Sequence, residues 1–281
     1  MNRSLLKDLY FKAFQSGNPI FLLMGINILV FLLINLIAVV EFLSTRSSPL
    51  ADQITTILSV PSALSDIPLN FWTIITYMFV QRGFFHILFN MLWLFWMGQI
   101  FMDFLNKRQF YFTYVAGGIL GALTYLIAYN TIPAFTNVSS YLLGSSASVM
   151  AIVVATATLV PDYTIRLLLF GNVKLKYLAI AYFLLDIIGM GGGNAGGSIA
   201  HIGGAIAGFI FIKQLQSGRD LSKILKRKTR LKVVKNNSVS SKNNLEPDQE
   251  TIDRILDKIS KSGYDSLTKT EKEQLFKASK K

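Results

Sequence analysis

AHIGGAIAG, residues 200–208, opens the last long apolar segment of this chain and contains one of its two histidines. On a helix, His201, Gly204 and Gly208 stand at positions i, i+3 and i+7 and share one face. Glycines on such a face let a neighbouring backbone approach closely. The two glycines alone are typical of ordinary helix packing, but ionisable residues are rare in apolar spans, and a histidine one turn ahead indicates function.

A serine-bearing turn, GSSA at residues 144–147, opens an earlier apolar segment. The helix that follows carries a stripe of small residues, Ala147, Ala151 and Ala155. Packing of this stripe on the glycine face would bring Ser146 within reach of His201. A serine hydroxyl is a poor nucleophile until a base takes its proton, and imidazole suits that task near neutral pH. We therefore predict Ser146 as nucleophile and His201 as general base.

The other histidine lies in HILFN, residues 86–90, at the start of another apolar segment. His86 and Asn90, at i and i+4, project from one helix face, and both can donate hydrogen bonds. Attack on an amide creates an oxyanion that needs such donors. The backbone N–H groups at the start of the Ser146 helix would add to them. Alternatives are an interhelical polar contact for Asn90 and an interfacial position for His86.

Asp186 is the acid closest in depth to His201, near the end of the fifth apolar segment. Its simpler interpretation is a capping or loop-facing residue beside Gly189. We expect a Ser–His dyad, with no acid that orients His201 as the third member of a triad. We expect neither a metal nor a cofactor.

Composition indicates a membrane protein, since hydrophobic residues make up 52% of the 281 residues and charged residues 16%. Stretches of about 20 apolar residues can cross a hydrocarbon core as helices. The fourth segment is short, which is typical of a helix that begins inside the protein below the membrane surface. Six segments are predicted: 19–43, 85–105, 110–129, 146–160, 175–190 and 199–215.

The net charge of +12 is unevenly distributed. Basic residues lie between segments two and three, between four and five, and after six, whereas loops 130–143 and 191–198 carry no charge. The positive-inside rule then places both termini in the cytoplasm, and we expect a bacterial inner membrane. The basic excess favours anionic lipid over nucleic acid as partner. His86, Ser146 and His201 would all lie near the outer face.

Four regions are predicted. Residues 1–18 form a basic amphipathic segment. The apolar segment 19–43 behind it could be a signal peptide, but it is too long and no small-residue cleavage site follows, so we expect it to stay attached. Residues 19–216 form the membrane domain, in which 44–84 is an interfacial, partly helical outer loop. Residues 217–245 form a basic polar linker, and 246–281 a cytoplasmic helical hairpin with a capping box at Thr268. The hairpin's apolar face predicts self-association, a protein partner or docking on the membrane domain.

The three motifs together resemble the HxxxN, GxSG and AHxxGxxxG signatures of the rhomboid intramembrane serine proteases, in order and spacing over about residues 19–216. The resemblance implies an all-α membrane protein with a six-helix core. It also implies Ser146 as nucleophile, His201 as general base, and His86, Asn90 and the Ser146 amide as oxyanion hole. Gly144, Ala147, Gly204 and Gly208 would support close helix packing near the site.

Three departures from the family pattern are present. Ala147 replaces the second glycine of GxSG, Trp72 is followed by Thr73 rather than arginine, and Met150 stands where an aromatic residue is common. None removes a catalytic group. We predict an intramembrane endopeptidase that cuts transmembrane segments of single-pass or multi-pass proteins. The alternatives are a catalytically silent relative that binds or escorts membrane clients, and a transporter, which the absence of inverted repeats disfavours.

Overall fold

The chain is mostly helical in its computed structural model, which describes residues 5–135, 138–167, 171–190, 194–225 and 248–279. The basic run at 226–235, the rest of the predicted linker to 245, and Gly191–Gly193 of the uncharged loop lie outside the described residues. The helices are α1 (Leu5–Tyr10), α2 (Pro19–Thr45), α3 (Pro49–Leu58), α4 (Thr73–Thr76), α5 (Phe84–Phe104), α6 (Lys107–Thr131), α7 (Ser146–Leu159), α8 (Leu175–Gly189), α9 (Ala195–Gln216), α10 (Gln249–Ser262) and α11 (Lys269–Ala278).

Short 3-10 turns, one π-helical turn and two small antiparallel sheets connect these helices. The π-helical turn is Phe11–Gln15, and the 3-10 turns are Leu64–Leu69, Tyr77–Phe79, Pro133–Phe135, Leu221–Leu225 and Tyr264–Ser266. The strands are β1 (Val60–Pro61), paired with β2 (Tyr141–Leu142), and β3 (Thr164–Leu167), paired with β4 (Gly171–Lys174).

Four of the described helices, α2, α5, α6 and α9, are long and apolar enough to cross a membrane. Helix α7 is a shorter apolar helix of 14 residues, and α8 has 15. Large apolar side chains cover the outside of the bundle: Leu43 is 79% exposed and Ile188 is 76% exposed. Soluble proteins rarely expose such continuous apolar surface, and a bilayer accounts for it.

Local sequence signals explain where the long helices begin. Asn18 accepts a hydrogen bond from the amide of Ile20, and Pro19 stands at the first helical position of α2. Asn106 and Gln109 form a capping box at the start of α6. Both devices satisfy amides that have no partner inside their own helix, so each helix starts at a defined residue.

Helix α7 lies at the centre of the helix bundle, where most of its residues are buried. It packs against α5, α6, α8 and α9. The turn that precedes it is held by the outer loop, because β1 pairs with β2 and the Gly144 amide donates to the Tyr77 carbonyl at 2.9 Å. The buried Tyr77 hydroxyl in turn donates to the Gly118 carbonyl on α6 at 2.6 Å. The outer loop therefore positions the serine turn over the bundle.

The chain divides into two compact units, Met1–Arg227 and Lys228–Lys281. We call the first of them the membrane unit, and it includes residues 217–225 at the start of the predicted linker. Arg108 at the start of α6 donates to the Asp220 carboxylate at 2.8 Å and to the Ser222 hydroxyl at 3.0 Å. These side-chain contacts therefore extend past α9 to Ser222.

The second unit contains α10 and α11. Gly263, with φ of 79°, ends α10, and Thr268 and Glu271 form the predicted capping box of α11. On the apolar face of α10, Ile255 is buried, whereas Leu256 is 49% exposed. The Thr268 amide and the Lys258 ammonium, both hydrogen-bonded to the Glu271 carboxylate, lower the pKa of that carboxyl to about 2.

Candidate active site

Ser146 and His201 are in direct contact. The His201 imidazole Nε2 lies 2.6 Å from the Ser146 hydroxyl oxygen, across 55 positions of sequence. Ser146 is the first residue of α7, and His201 lies in the second turn of α9. His201 is 7% exposed and Ser146 is half-buried. A serine that donates to an imidazole nitrogen at this distance has the geometry of an activated nucleophile.

The glycines of α9 make this contact possible. A Cβ atom on Gly204 would overlap the carbonyl oxygen of Ala147, and one on Gly208 would overlap that of Ala151. The two backbones therefore touch along the predicted small-residue faces. The methyl group of Ala147 itself points towards Gly121 of α6, where a Cβ would come within 2.6 Å of it. The extra methyl of the GSSA turn is thus accommodated by a glycine on a third helix.

Our expectation that no acid lies within reach of His201 is wrong. The Asp186 carboxylate oxygen Oδ1 lies 2.7 Å from His201 Nδ1, on the side of the ring away from Ser146. The same oxygen accepts a hydrogen bond from the Ser198 hydroxyl at 3.1 Å. Asp186 occupies the last turn of α8, close to the depth of His201. Three side chains from three helices therefore stand in a row.

The space beside Ser146 is bounded by His86. A Cβ on Gly144 would lie 2.8 Å from His86 Cε1, 3.0 Å from its Nε2 and 3.5 Å from the Ser146 hydroxyl oxygen. Gly144 has φ of +120°, a backbone conformation that favours glycine. The absent side chain lets the His86 imidazole lie close to the Gly144 backbone, beside the Ser146 hydroxyl.

Asn90, one turn after His86, is held by a residue that sequence reasoning missed. Its amide nitrogen donates to the Gln81 carbonyl oxygen at 3.0 Å. The Gln81 amide nitrogen donates to Asn27 at 2.9 Å and to the Ser145 hydroxyl at 2.8 Å. Gln81 and Asn90 are 3% and 4% exposed. The only local signal was one uncharged polar residue at the end of the apolar run 74–80.

Two cavities border the polar residues around this contact, one at Gln81 and one at His86. One, of about 540 Å³, is lined mainly by polar groups that include Ser59, Gln81 and Ser140. A second, of about 240 Å³, is lined by His86, Tyr125 and Asn194, among others. They share the wall of Arg82, Ser140, Tyr141 and Leu143. Both cavities are polar enough to hold water, and the second is bounded by His86.

A family model of the rhomboid domain matches residues 68–216, more than half of the chain. The chain belongs to the rhomboid family. In this rhomboid protein, the matched range contains His86, Asn90, Ser146, Asp186 and His201. A second model, DUF6576, a family of unknown function, matches residues 242–281. No curated protein matches the chain.

The remaining departures from the rhomboid pattern are accommodated in this rhomboid protein. The Trp72 indole nitrogen donates to the Ile57 carbonyl at 2.9 Å, which ties the outer loop to the end of α3 without the usual arginine. Met150, one turn after Ser146, is fully buried. Neither change opens the bundle around Ser146.

Proposed function

We propose that this rhomboid protein is an active intramembrane serine endopeptidase that cleaves transmembrane segments of other membrane proteins near the outer face. The observation that carries the proposal is the 2.6 Å contact between the Ser146 hydroxyl and His201 Nε2 at the start of a buried helix. Membership of the family alone does not distinguish an enzyme from a silent relative. A nucleophile already hydrogen-bonded to its base favours the enzyme.

The first half of the reaction forms an acyl-enzyme. His201 Nε2 takes the hydroxyl proton as Ser146 Oγ bonds to the scissile carbonyl carbon, and the carbonyl π electrons move to its oxygen. His86, Asn90 and the backbone amide of Ser146 are the candidate donors to that oxyanion. As the carbonyl re-forms, the C–N bond breaks, and His201 returns the proton to the departing amine.

The second half releases the other product. Water enters from the polar cavity, gives a proton to His201 Nε2 and bonds to the acyl carbon. Collapse of this second tetrahedral intermediate breaks the C–Oγ bond, and His201 returns the proton to Ser146. In each half His201 takes one proton and gives one back, so it ends each half uncharged, as it began.

The substrate must expose a peptide bond inside the membrane domain. Unwinding a helix in lipid leaves backbone groups unsatisfied at several kcal/mol each, so segments with helix-breaking or small residues are favoured. The charge pattern supports an orientation with both termini cytoplasmic in a bacterial inner membrane, so the cut falls towards the outer side. We also propose that six helices cross the membrane: α2, α5, α6 and α9, and the shorter helices α7 and α8.

The test is activity and active-site labelling of the purified, reconstituted protein. Ser146→Ala is expected to abolish cleavage of a transmembrane substrate and labelling by a fluorophosphonate. His201→Ala is expected to lower both by about 10²–10⁴-fold. The matched control is Ser148→Ala on the same helix, because the buried Ser148 hydroxyl has no hydrogen-bond partner among the described residues. A wild-type protein that neither labels nor cleaves would establish the silent, client-binding alternative.

A further inference from the structure

We propose that Asp186 is a positioning residue that orients His201 and stabilises its charged form, so that this protein uses a Ser–His–Asp triad. The proposal rests on the function proposed above. It assigns a role to the carboxylate that lies 2.7 Å from His201 Nδ1. His201 then has one partner on each nitrogen, Ser146 on Nε2 and Asp186 on Nδ1.

Burial makes this carboxylate costly unless it has a partner. The side chains of His201 and Asp186 are 9% and 12% exposed. An ionised acid in an apolar bundle is expensive, and such residues mark functional sites by default. Besides His201, the described contacts to the Asp186 carboxylate come from the Ser198 hydroxyl. Its second oxygen, Oδ2, is buried and has no hydrogen-bond partner among the described residues.

Ser198 sets the position of the acid. Its hydroxyl lies 3.1 Å from both the backbone carbonyl and the carboxylate Oδ1 of Asp186. Ser198 stands three residues before His201 on α9, so the two side chains face the same side of the helix. One turn of α9 therefore supplies both the base and the group that holds the acid against it.

The chemistry required of Asp186 is electrostatic. A proton kept on Nδ1, facing the carboxylate, leaves Nε2 unprotonated to accept the Ser146 proton. When His201 becomes an imidazolium, its new charge faces the carboxylate. The proton that Nε2 took from Ser146 then passes to the departing amine, and Asp186 stays ionised throughout.

The contact is short but not linear, because Nδ1 and Oδ1 form an ion-pair distance without hydrogen-bond alignment. Catalytic hydrogen bonds are often poorly aligned before substrate binds and tighten in the transition state. We therefore expect Asp186 to contribute less than the acid of a fully aligned triad, whose neutralisation costs about 10⁴-fold.

The alternative role for Asp186 is a structural tie between α8 and α9 through Ser198. Asp186→Asn separates the two roles, because it keeps an oxygen for Ser198 but loses the charge. We expect Asp186→Asn to lower kcat and the rate of fluorophosphonate labelling by about 10²-fold, with KM and melting temperature nearly unchanged. Ser198→Ala, which keeps the charge and loses the tie, is expected to lower the same rates by less than about fivefold.

Asp162→Asn is the matched control, since Asp162 is an acid that pairs with Lys174 and Lys176 away from Ser146. Its rates are expected to equal those of the wild type. Asp186→Asn rates within about threefold of the wild type would overturn the proposal. Equal losses in Asp186→Asn and Ser198→Ala would also overturn it and assign Asp186 to the structural tie.

A spectroscopic measurement tests the contact independently of protease activity. The chain has two histidines, so ¹⁵N-histidine labelling of the reconstituted protein gives two imidazoles, and a His86→Ala sample assigns them. We expect the His201 Nδ1 proton resonance to move upfield in Asp186→Ala, because this variant removes the negative charge beside Nδ1. Unchanged His201 resonances would overturn the contact. If the wild type proved inert towards substrate and fluorophosphonate, the proposed function would fail while this measurement still decided the contact.

Discussion

Gln81 is one buried amide that connects Asn90 to the serine turn. It accepts from Asn90 and donates to Asn27 and Ser145, which links α2, α5 and the serine turn. Hydrogen bonds between helices in a bilayer stabilise packing by about 1–2 kcal/mol at most. Their more important effect here is on orientation, because the Gln81 carbonyl oxygen gives the Asn90 amide a fixed acceptor.

At the residue scale we predict that Asn90→Ala lowers kcat by about 10²–10³-fold with little change in KM, because its donor acts in the transition state. Gln81→Leu should lower kcat by about tenfold, because Asn90 loses its orienting acceptor while keeping its own donors. Steady-state kinetics on a transmembrane substrate measure both effects.

Thr156→Val is the control for these two variants. It removes another buried polar group, which bonds to the Ile152 carbonyl on α7. Its kinetics should match those of the wild type. A defect of Asn90→Ala confined to KM would instead assign Asn90 to packing or substrate binding.

At the scale of elements, the position of α7 against α9 decides the distance between Ser146 and His201. The contact between these helices is backbone to backbone at Gly204 and Gly208. Gly204 meets Ala147, the residue next to Ser146, whereas Gly208 meets Ala151 one turn deeper. A side chain at Gly204 would therefore act directly on the end of α7 that carries Ser146.

We predict that Gly204→Ala destabilises the protein by about 1–3 kcal/mol through overpacking and nearly abolishes cleavage. Gly208→Ala should cost similar stability but retain more activity, since the displaced turn lies farther from Ser146. Thermal unfolding in detergent and cleavage assays measure the two quantities.

Gly189→Ala, at the end of α8, is the matched glycine control, because a Cβ there meets no atom within 4 Å. It should leave both stability and cleavage unchanged. Wild-type activity in Gly204→Ala would mean that Ser146 and His201 do not depend on this close approach.

At the scale of the whole molecule, the membrane unit extends past α9. Arg108, Asp220 and Ser222 fasten the chain to the start of α6 before it enters the second unit. Burial opposes ionisation of Asp220, but hydrogen bonds from Ser222 and Arg108 outweigh it, and the pKa of this carboxyl is lowered. The ion pair between Arg108 and Asp220 therefore holds the segment after α9 against the start of α6.

We predict that a chain ending at residue 227 cleaves a model transmembrane substrate in detergent as well as the full chain does, since it keeps every proposed catalytic group. It should differ in oligomeric state, partner binding or substrate choice in membranes, because the second unit carries the exposed Leu256 beside buried Ile255. Cleavage assays and sizing measure these properties.

A chain ending at residue 219 is the comparison. It loses Asp220 and Ser222 and should be less stable than the 227-residue chain by about 1–3 kcal/mol. Complete loss of cleavage by a folded 227-residue chain would show that the second unit is part of the catalytic machinery.

The sequence alone determined the helices and most of the site. Apolar runs and capping residues are local signals, and each predicted span corresponds to a helix with bounds shifted by a few residues. The faces of small residues in α7 and α9 predicted their close approach, and this approach makes Ser146 and His201 neighbours. Spacing along a helix is a local property, so it can be deduced without knowing the fold.

Only the tertiary structure decided the partners of those residues. Asp186 meets His201 because of the height at which α8 ends beside α9, and Gln81 meets Asn90 because the chain between Phe79 and α5 places Gln81 beside the second turn of that helix. Neither contact follows from a repeat, a motif or a helical period. Both depend on how separate elements are placed in depth and tilt, which is set by packing across the whole bundle. The choice between a dyad and a triad therefore lies in the assembled bundle and in no single segment of the chain.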